Sequence, residues 1–290
     1  MTNGKKTIAS VLSDAVHYLS GNNGITNPRL ECEILLSHLL VWERIRLILQ
    51  KDDIISEEIY IKFQNLVQRR YKNEPIAYLI GTKEFMSMNF IVKPGILIPR
   101  PETEFLVEYV IDSMKHMQNP KILDLCTGSG AIAISIAHYL PDASVVAVDK
   151  YDICVETTLE NAKRNQVSEQ LTVMQHDIFE PFPNDKIFDC IVSNPPYIQK
   201  EVLTTLPSDV KDYEPKYALD GGDDGLIFYH RIIELTQNHL KTDGILVLEI
   251  GYDQGAELVR LLKESKCFKD IIVTKDYAGL DRMVTAVKRG

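Results

Sequence analysis

The chain has 290 residues, 45% of them hydrophobic and 25% charged, and carries a formal net charge of −9. That length exceeds what one hydrophobic core usually serves, so two domains of an ordinary globular protein are expected. The acidic balance argues against broad binding to nucleic-acid phosphates, which takes clustered Lys and Arg, and no stretch reaches the ~18 apolar residues of a membrane span.

Residues up to about Arg70 read as helices. Asn27-Pro28 is a cap followed by proline at the first helical position, and Cys32, Leu35, Leu36, Leu39 and Leu40 then recur at helical spacing. Ser56-Glu57-Glu58 opens another helix with Ile59, Phe63, Leu66 and Val67 on one face. From Tyr78 to Ile98 the pattern changes: Phe85, Met88, Phe90, Ile91 and Val92, then Pro94-Gly95, predict a β-hairpin joining two domains. Pro101-Glu102 starts a helix through about His116. The expected division is a helical domain over 1–75, a hairpin linker over 76–100 and an α/β domain over 101–290.

Beyond Asn119 strands alternate with helices. The strand-like runs are Lys121–Leu125, Ser144–Val148, Leu171–Gln175, Phe188–Val192 and Gly244–Glu249. Such alternation implies a parallel sheet covered on both faces. Asp270–Thr274 and Arg282–Val287 are separated only by Lys275–Asp281, too little for a crossover, so the last strand should run antiparallel. Five scattered cysteines, odd in number and without a CxxC pair, point to reduced thiols, with no metal site and no disulfide framework. The polar Met1–Ser10 does not read as a secretory signal, and a cytoplasmic location is expected.

Lys121-Ile-Leu-Asp-Leu-Cys-Thr-Gly-Ser-Gly130 is a strand ending in a glycine turn that opens a helix. Ligands of an open α/β sheet bind beyond the carboxyl ends of its strands. Gly128 and Gly130 let the backbone turn sharply against a ligand, and Asp149, ending the next strand, can accept both hydroxyls of a ribose. The same spacing also fits a dinucleotide fingerprint. Two further acids favour S-adenosylmethionine: Asp124 suits a cationic amine and sulfonium but would repel a pyrophosphate, and Asp177 is placed for an adenine amine, with the Ile178 N–H beside it. Cys126 stands where glycine is common in such turns, so that position need not adopt a positive φ.

The strand Phe188–Val192 runs into Asn194-Pro195-Pro196-Tyr197. Consecutive prolines fix φ and supply no N–H, leaving their carbonyls as acceptors, and Pro195 pushes Asn194 into an extended conformation. The Asn194 side-chain oxygen and the Pro195 carbonyl can both accept from one planar NH₂ group, while Tyr197 stacks on it. An amide nitrogen is a poor nucleophile, so alignment and acceptors on its hydrogens are what its methylation requires.

An Asn-Pro-Pro-Tyr tetrad is shared by adenine-N6 DNA methyltransferases and protein glutamine methyltransferases. Glu74-Pro-Ile-Ala-Tyr-Leu-Ile-Gly81, Lys83-Glu-Phe85, Ile98-Pro-Arg-Pro-Glu-Thr-Glu104, Ala218-Leu-Asp-Gly-Gly222 and Glu249-Ile-Gly251 make the whole chain resemble the release-factor glutamine methyltransferases, the HemK/PrmC family. The resemblance implies an α/β fold: a Rossmann-like class I methyltransferase sheet behind a small all-α domain and a hairpin linker. It implies methylation of the glutamine in the Gly-Gly-Gln loop of class 1 peptide-chain release factors, with S-adenosylmethionine as cofactor and neither nucleic acid nor membrane as direct partner. By position it assigns Thr127, Gly128, Ser129, Gly130, Asp149, Ile178 and Asn194 to the cofactor and Asn194–Tyr197 to the glutamine, with catalysis by Asn194, Pro195 and Tyr197. Phe85, Arg100 and Thr103 would flank that pocket, and Arg100 with Glu102 equally suits a pair bracing the linker. Competing readings are an adenine methyltransferase, which should carry a basic target-recognition domain, a non-catalytic cofactor-binding adaptor, and a nicotinamide dehydrogenase.

Overall fold

A computed structural model describes residues 6–183 and 187–290; Met1–Lys5, half of the polar N-terminal stretch, lie outside the described residues. Two structural units emerge, one of residues up to Gly81 with Leu206–Tyr213, the other of Thr82–Thr205 with Glu214–Gly290.

The first unit holds α1 (Ile8–Leu19), α2 (Pro28–Leu40), α3 (Arg44–Leu49), α4 (Glu57–Tyr71) and α5 (Ile76–Ile80), with α9 (Ser208–Lys211) added from later in the chain. Asn27 and Ser56 cap α2 and α4 through their side-chain oxygens, which accept from Leu30 N and Ile59 N. The expected apolar faces turn inward: Cys32, Leu35 and Leu36 meet Phe63 and Val67 in one core, with Ile8, Val11 and Leu19 of α1. The buried Arg70 is neutralised by Glu31 at 2.6 Å, which makes its burial tolerable.

The second unit opens with the antiparallel hairpin β1 (Thr82–Phe85) and β2 (Met88–Ile91). Phe85, Met88 and Phe90 of this hairpin are buried in the core of the unit, against Leu106, Val110 and Ile134. The helix expected from Pro101 begins as a 3₁₀ turn over Pro101–Thr103 and becomes α6 (Glu104–Met114).

The main sheet contains β3 (Lys121–Leu125), β4 (Ser144–Asp149), β5 (Leu171–Gln175), β6 (Phe188–Ser193), β7 (Leu240–Glu249), β8 (Phe268–Lys275) and β9 (Asp281–Lys288), in the order β5-β4-β3-β6-β7-β9-β8. The first five are parallel, and β9 lies antiparallel between β7 and β8. Helices α7 (Ala131–Tyr139), α8 (Asp152–Arg164), α10 (Ile227–His239) and α11 (Gly255–Glu264) complete the unit. Two cores result, one on each side of the sheet's apolar strands. The order reverses at β3: the chain runs outward to β5 and returns to place β6 on the other side. Ligand crevices form where connections diverge in this way. The register Leu125↔Ser193 therefore sets the residues after β3 and the residues after β6 side by side.

Candidate active site

The turn after β3 is wound through left-handed positions at Cys126 (φ 61°), Gly128 (φ 58°) and Gly130 (φ 81°). Cys126 thus takes a left-handed conformation although it lacks glycine's freedom. The chain leaves β3 so steeply, with Thr127 N on the Val148 carbonyl at 3.0 Å, that the left-handed conformation is imposed on a residue with a Cβ. The strain is about 1–2 kcal/mol. At Gly130 no side chain fits: a Cβ would come within 2.8 Å of both Ile134 Cδ1 and Thr158 Cγ2.

Two carboxylates brace this turn. Asp149, at the end of β4, accepts from Gly128 N at 2.9 Å and Tyr151 N at 3.1 Å. Burial raises its pKa, and the N–H bonds work against that rise. Asp124 is fully buried; its Oδ2 accepts from Thr127 Oγ1 at 2.6 Å and Ala133 N at 3.2 Å, while its Oδ1 has no partner. Desolvation pushes Asp124 up to about 7 against those bonds.

Above the turn lies a cavity of about 1000 Å³, open solvent at its mouth included. Of the residues expected in a site, Thr127, Gly128, Ser129, Asp149, Asp177, Ile178, Asn194, Pro196, Arg100 and Thr103 line it. Asp124, Gly130, Pro195, Tyr197 and Phe85 do not. Phe85 is corrected to a core residue, 1% exposed and edge-on to Phe90, because hairpin alternation turns it inward. Asp124 braces the turn through Thr127 and through Ala133 N at the start of α7. The half-buried Tyr197 ring packs against the core on one face of the sheet, and its hydroxyl donates to Glu249 Oε1 at 3.3 Å. Arg100 pairs with the buried Glu214 at 2.6 Å and not with Glu102. Asp177 is engaged with Lys150 at 2.8 Å.

The amide end is built from three distant segments. Asn194 Nδ2 donates to Thr103 Oγ1 at 3.2 Å, and Thr103 Oγ1 donates to Glu249 Oε2 at 2.6 Å. Burial pushes the Glu249 carboxyl up to about 7, opposed by the Thr103 hydroxyl and by Arg282. Tyr197 is held from behind. Gln254 Nε2 donates to its carbonyl at 3.0 Å, and Gly221 passes so close that a Cβ there would stand 2.7 Å from Tyr197 Cα. The Ala218–Gly222 segment is thereby a clamp on the end of the tetrad.

Sequence reasoning missed several positioning residues. Asn161 of α8 donates to the carbonyls of Ser129 and Ile91 and accepts from Ile91 N, and Thr158 donates to the Gly128 carbonyl. Their signal was available: Thr157, Thr158 and Asn161 put polar groups on the face of α8 that must turn inward. Arg231 of α10 donates to the Ile178 and Glu180 carbonyls, pinning the loop after β5. Tyr151 stacks on Tyr217 at 3.7 Å, and with Phe179 and Phe228 they give the cavity aromatic walls.

The Asp149 carboxylate on the cavity wall, with the aromatic and apolar side chains around it, suits a hydroxyl-bearing ligand with a flat ring and opposes a pyrophosphate. Among the described residues no group of His, Cys, Asp and Glu side chains is placed to hold a metal ion, and no helix is long and apolar enough to cross a membrane.

Comparison with known proteins agrees with this geometry. Residues 10–81 match the PrmC N-terminal domain and residues 101–207 the methyltransferase small domain, and a methyltransferase domain implies use of S-adenosylmethionine. The release factor glutamine methyltransferase of Clostridium botulinum is 40% identical over 91% of this chain and 93% of its own. That of Moorella thermoacetica is 38% identical over 98% and 99%. Among solved structures, the release factor-specific protein-(glutamine-N5) methyltransferase of Alicyclobacillus acidocaldarius is 31% identical, covering 69% of this chain and all 100% of that one, with a TM-score of 0.43. The hMettl16 catalytic domain, solved with the MAT2A 3'UTR hairpin 6, is 16% identical over 84% and 88% at a TM-score of 0.56, a likeness of fold. With relatives matched along nearly their full length, the chain belongs to the release factor glutamine methyltransferase family.

Proposed function

We propose that this chain methylates the side-chain amide nitrogen of the glutamine in the Gly-Gly-Gln loop of class 1 peptide-chain release factors, with S-adenosylmethionine as donor. The observation that carries this reading is the register of β3 against β6, which puts an acid-braced glycine turn next to Asn194 across one crevice. One face suits a cationic nucleoside and the other a planar amide.

S-adenosylmethionine supplies an electrophilic methyl group when bound and leaves as S-adenosylhomocysteine; no metal is given a role. Asp149, at the cavity wall, accepts from the ribose hydroxyls. Asp177 and the Ile178 N–H face the adenine edge, with Lys150 released from Asp177 as an exposed, flexible partner. Thr127, Gly128 and Ser129 line the approach to the methionine part. Asn194 Oδ1 and the Pro195 carbonyl accept from the glutamine NH₂, fixing its approach and stabilising positive charge as it develops on nitrogen. The proton leaves the cationic product after attack, so no general base is needed beforehand. Arg100, held by Glu214, and Pro196 border the glutamine pocket. Residues 1–75 present the surface for the release factor, residues 76–100 connect, and residues 101–290 bind the cofactor.

Mass spectrometry of a recombinant release factor incubated with the protein and S-adenosylmethionine tests the reading. A one-methyl gain on the loop glutamine is expected. Methyl on any other residue, or none with an active cofactor-binding protein, overturns it.

A further inference from the structure

A carboxamide has an acceptor end and a donor end of nearly the same shape. For a side chain that must receive hydrogen bonds from a substrate NH₂, the wrong orientation sets donors against donors. Something in the protein must therefore decide which end of Asn194 faces the cavity. Shape alone does not.

We propose that Glu249, acting through Thr103, sets the facing of the Asn194 carboxamide and is a positioning residue for methyl transfer. The inference rests on the reading that Asn194 Oδ1 accepts from the substrate amide. Its warrant is the direction of a hydrogen-bond chain. An ionised carboxylate can only accept, so the single hydroxyl proton of Thr103 goes to Glu249 Oε2, at 2.6 Å. The Thr103 oxygen is then left as an acceptor, and of the two ends of Asn194 only the nitrogen can donate to it, as found at 3.2 Å. The oxygen end is left to point elsewhere. Thr103 is 4% exposed and Glu249 1%, so both partners of this bond are largely shielded from solvent.

The carboxylate is itself held. Its second oxygen accepts from Tyr197 Oη at 3.3 Å, and the Glu249 backbone carbonyl accepts from Tyr229 Oη at 2.8 Å. Arg282 attracts it and Glu102 repels it. A plain structural brace between these segments would be indifferent to the direction of the chain, whereas a positioning role depends on it. Remove the acceptor at 249 and the Thr103 proton becomes free to donate to Asn194 Oδ1, turning the amide the wrong way.

The test is single-turnover methylation of a recombinant release factor by the full-length protein at roughly pH 8.5, where a carboxyl titrating near 7 is ionised. Thr103→Ser keeps the hydroxyl and should stay within about twofold of wild type, while Thr103→Val should slow the step about 3- to 10-fold, the worth of one net hydrogen bond. Glu249→Met, similar in volume but without an acceptor, should slow it at least as much. In the Thr103→Val background the same change should add almost nothing, because the two act in series. The rate should fall more than the KM for the release factor rises or the affinity for S-adenosylhomocysteine falls in all of them. Multiplying effects in the double variant, or wild-type rates in both single variants while Asn194→Ala is slow, would overturn the role of Glu249 and leave the proposed function standing. A wild-type rate for Asn194→Ala would instead sink the reading of the tetrad itself. Should Glu249→Met not fold, Glu249→Gln replaces it: its amide can accept or donate, so a rate between wild type and Thr103→Val is expected, and a wild-type rate counts against the proposal.

Discussion

The two ends of the cavity are built on different plans. At the cofactor end the acids act locally: the Asp124 brace reaches Thr127 and Ala133, three and nine residues on, and Asp149 reaches Gly128 across 21 residues, while Asn161, Thr158 and Arg231 reach only backbone carbonyls there. The amide end is assembled from afar by side chains, with 91 residues between Thr103 and Asn194 and 146 between Thr103 and Glu249. Backbone cradles are fixed by strand, turn and helix geometry and tolerate change in side chains that do not touch them. A side-chain relay depends on each member, so single substitutions should be most damaging at the amide end.

The largest effect is therefore expected at Asn194. Asn194→Ala should lower the single-turnover rate about 10²–10³-fold, by comparison with removing one donor of an oxyanion hole, and should change KM far less. Asn194→Asp, which keeps an acceptor and the shape, should retain much more activity than the alanine variant. A near-wild-type rate in folded Asn194→Ala would erase the contrast between the two ends.

At the cofactor end, Asp149→Ala should weaken cofactor affinity by roughly 1.5–3 kcal/mol for each charge-assisted bond lost. Calorimetric titration with S-adenosylhomocysteine measures it. Because Asp149 also holds Gly128 N and Tyr151 N, a thermal melt must accompany the titration. An unchanged dissociation constant in a folded variant would take Asp149 out of the site.

The same contrast explains what could be read from the sequence. The alternating strands, the glycine turn and the acids at the strand ends were legible because each is a short run whose spacing carries its geometry. The antiparallel β9 followed from a connection too short to cross over. Phe85 was misplaced because residue type and motif position suggest a ligand contact, while the facing of a side chain depends on which core it meets. Glu249 stood in a recognisable stretch, yet its link to Thr103 exists only once β7 lies beside β6 and the Pro101–Thr103 turn lies against them. The left-handed Cys126 was hidden because sequence reports what a residue prefers and not what a turn imposes.

Glycine substitutions sharpen the local half of the comparison. Gly130→Ala meets both a left-handed φ and close atoms at 2.8 Å, whereas Gly128→Ala meets the φ alone, with nothing within 4 Å of the new Cβ. Each should lose about 1–2 kcal/mol for the conformation, with Gly130→Ala losing more. Urea denaturation gives both values, and equal losses would mean that the contacts with Ile134 and Thr158 yield freely.

The smallest effect per step is a pH slope, to which the cofactor end contributes Asp124 and, in the same direction, Asp149, and the amide end Glu249. Burial lifts Asp124 from 3.8 to about 7 and Glu249 from 4.5 to about 7. Between those values the folded protein keeps protons that the unfolded chain has already released. Stability falls with rising pH wherever the folded state binds more protons, so it should decline from about pH 4.5 to about pH 7 and level off above, where both states are ionised. The limiting slope is about 1.4 kcal/mol per pH unit for one proton. Carboxylates held low by a hydrogen-bonded cation, such as Glu58 by Lys62 and Glu257 by Arg260, have the opposite sign and act only below their ordinary values, outside this window. Denaturation of wild type, Asp124→Asn and Glu249→Gln at a series of pH values separates the contributions, since each variant should lose its own share of the slope. Glu249 has Arg282 and two hydroxyls around it, whereas Asp124 has one hydroxyl, one N–H and an oxygen with no partner, so Asp124→Asn should flatten the curve more. If the slope survives in Asp124→Asn and disappears in Glu249→Gln, the charge strain belongs to the relay, and the cofactor cradle is the better satisfied of the two.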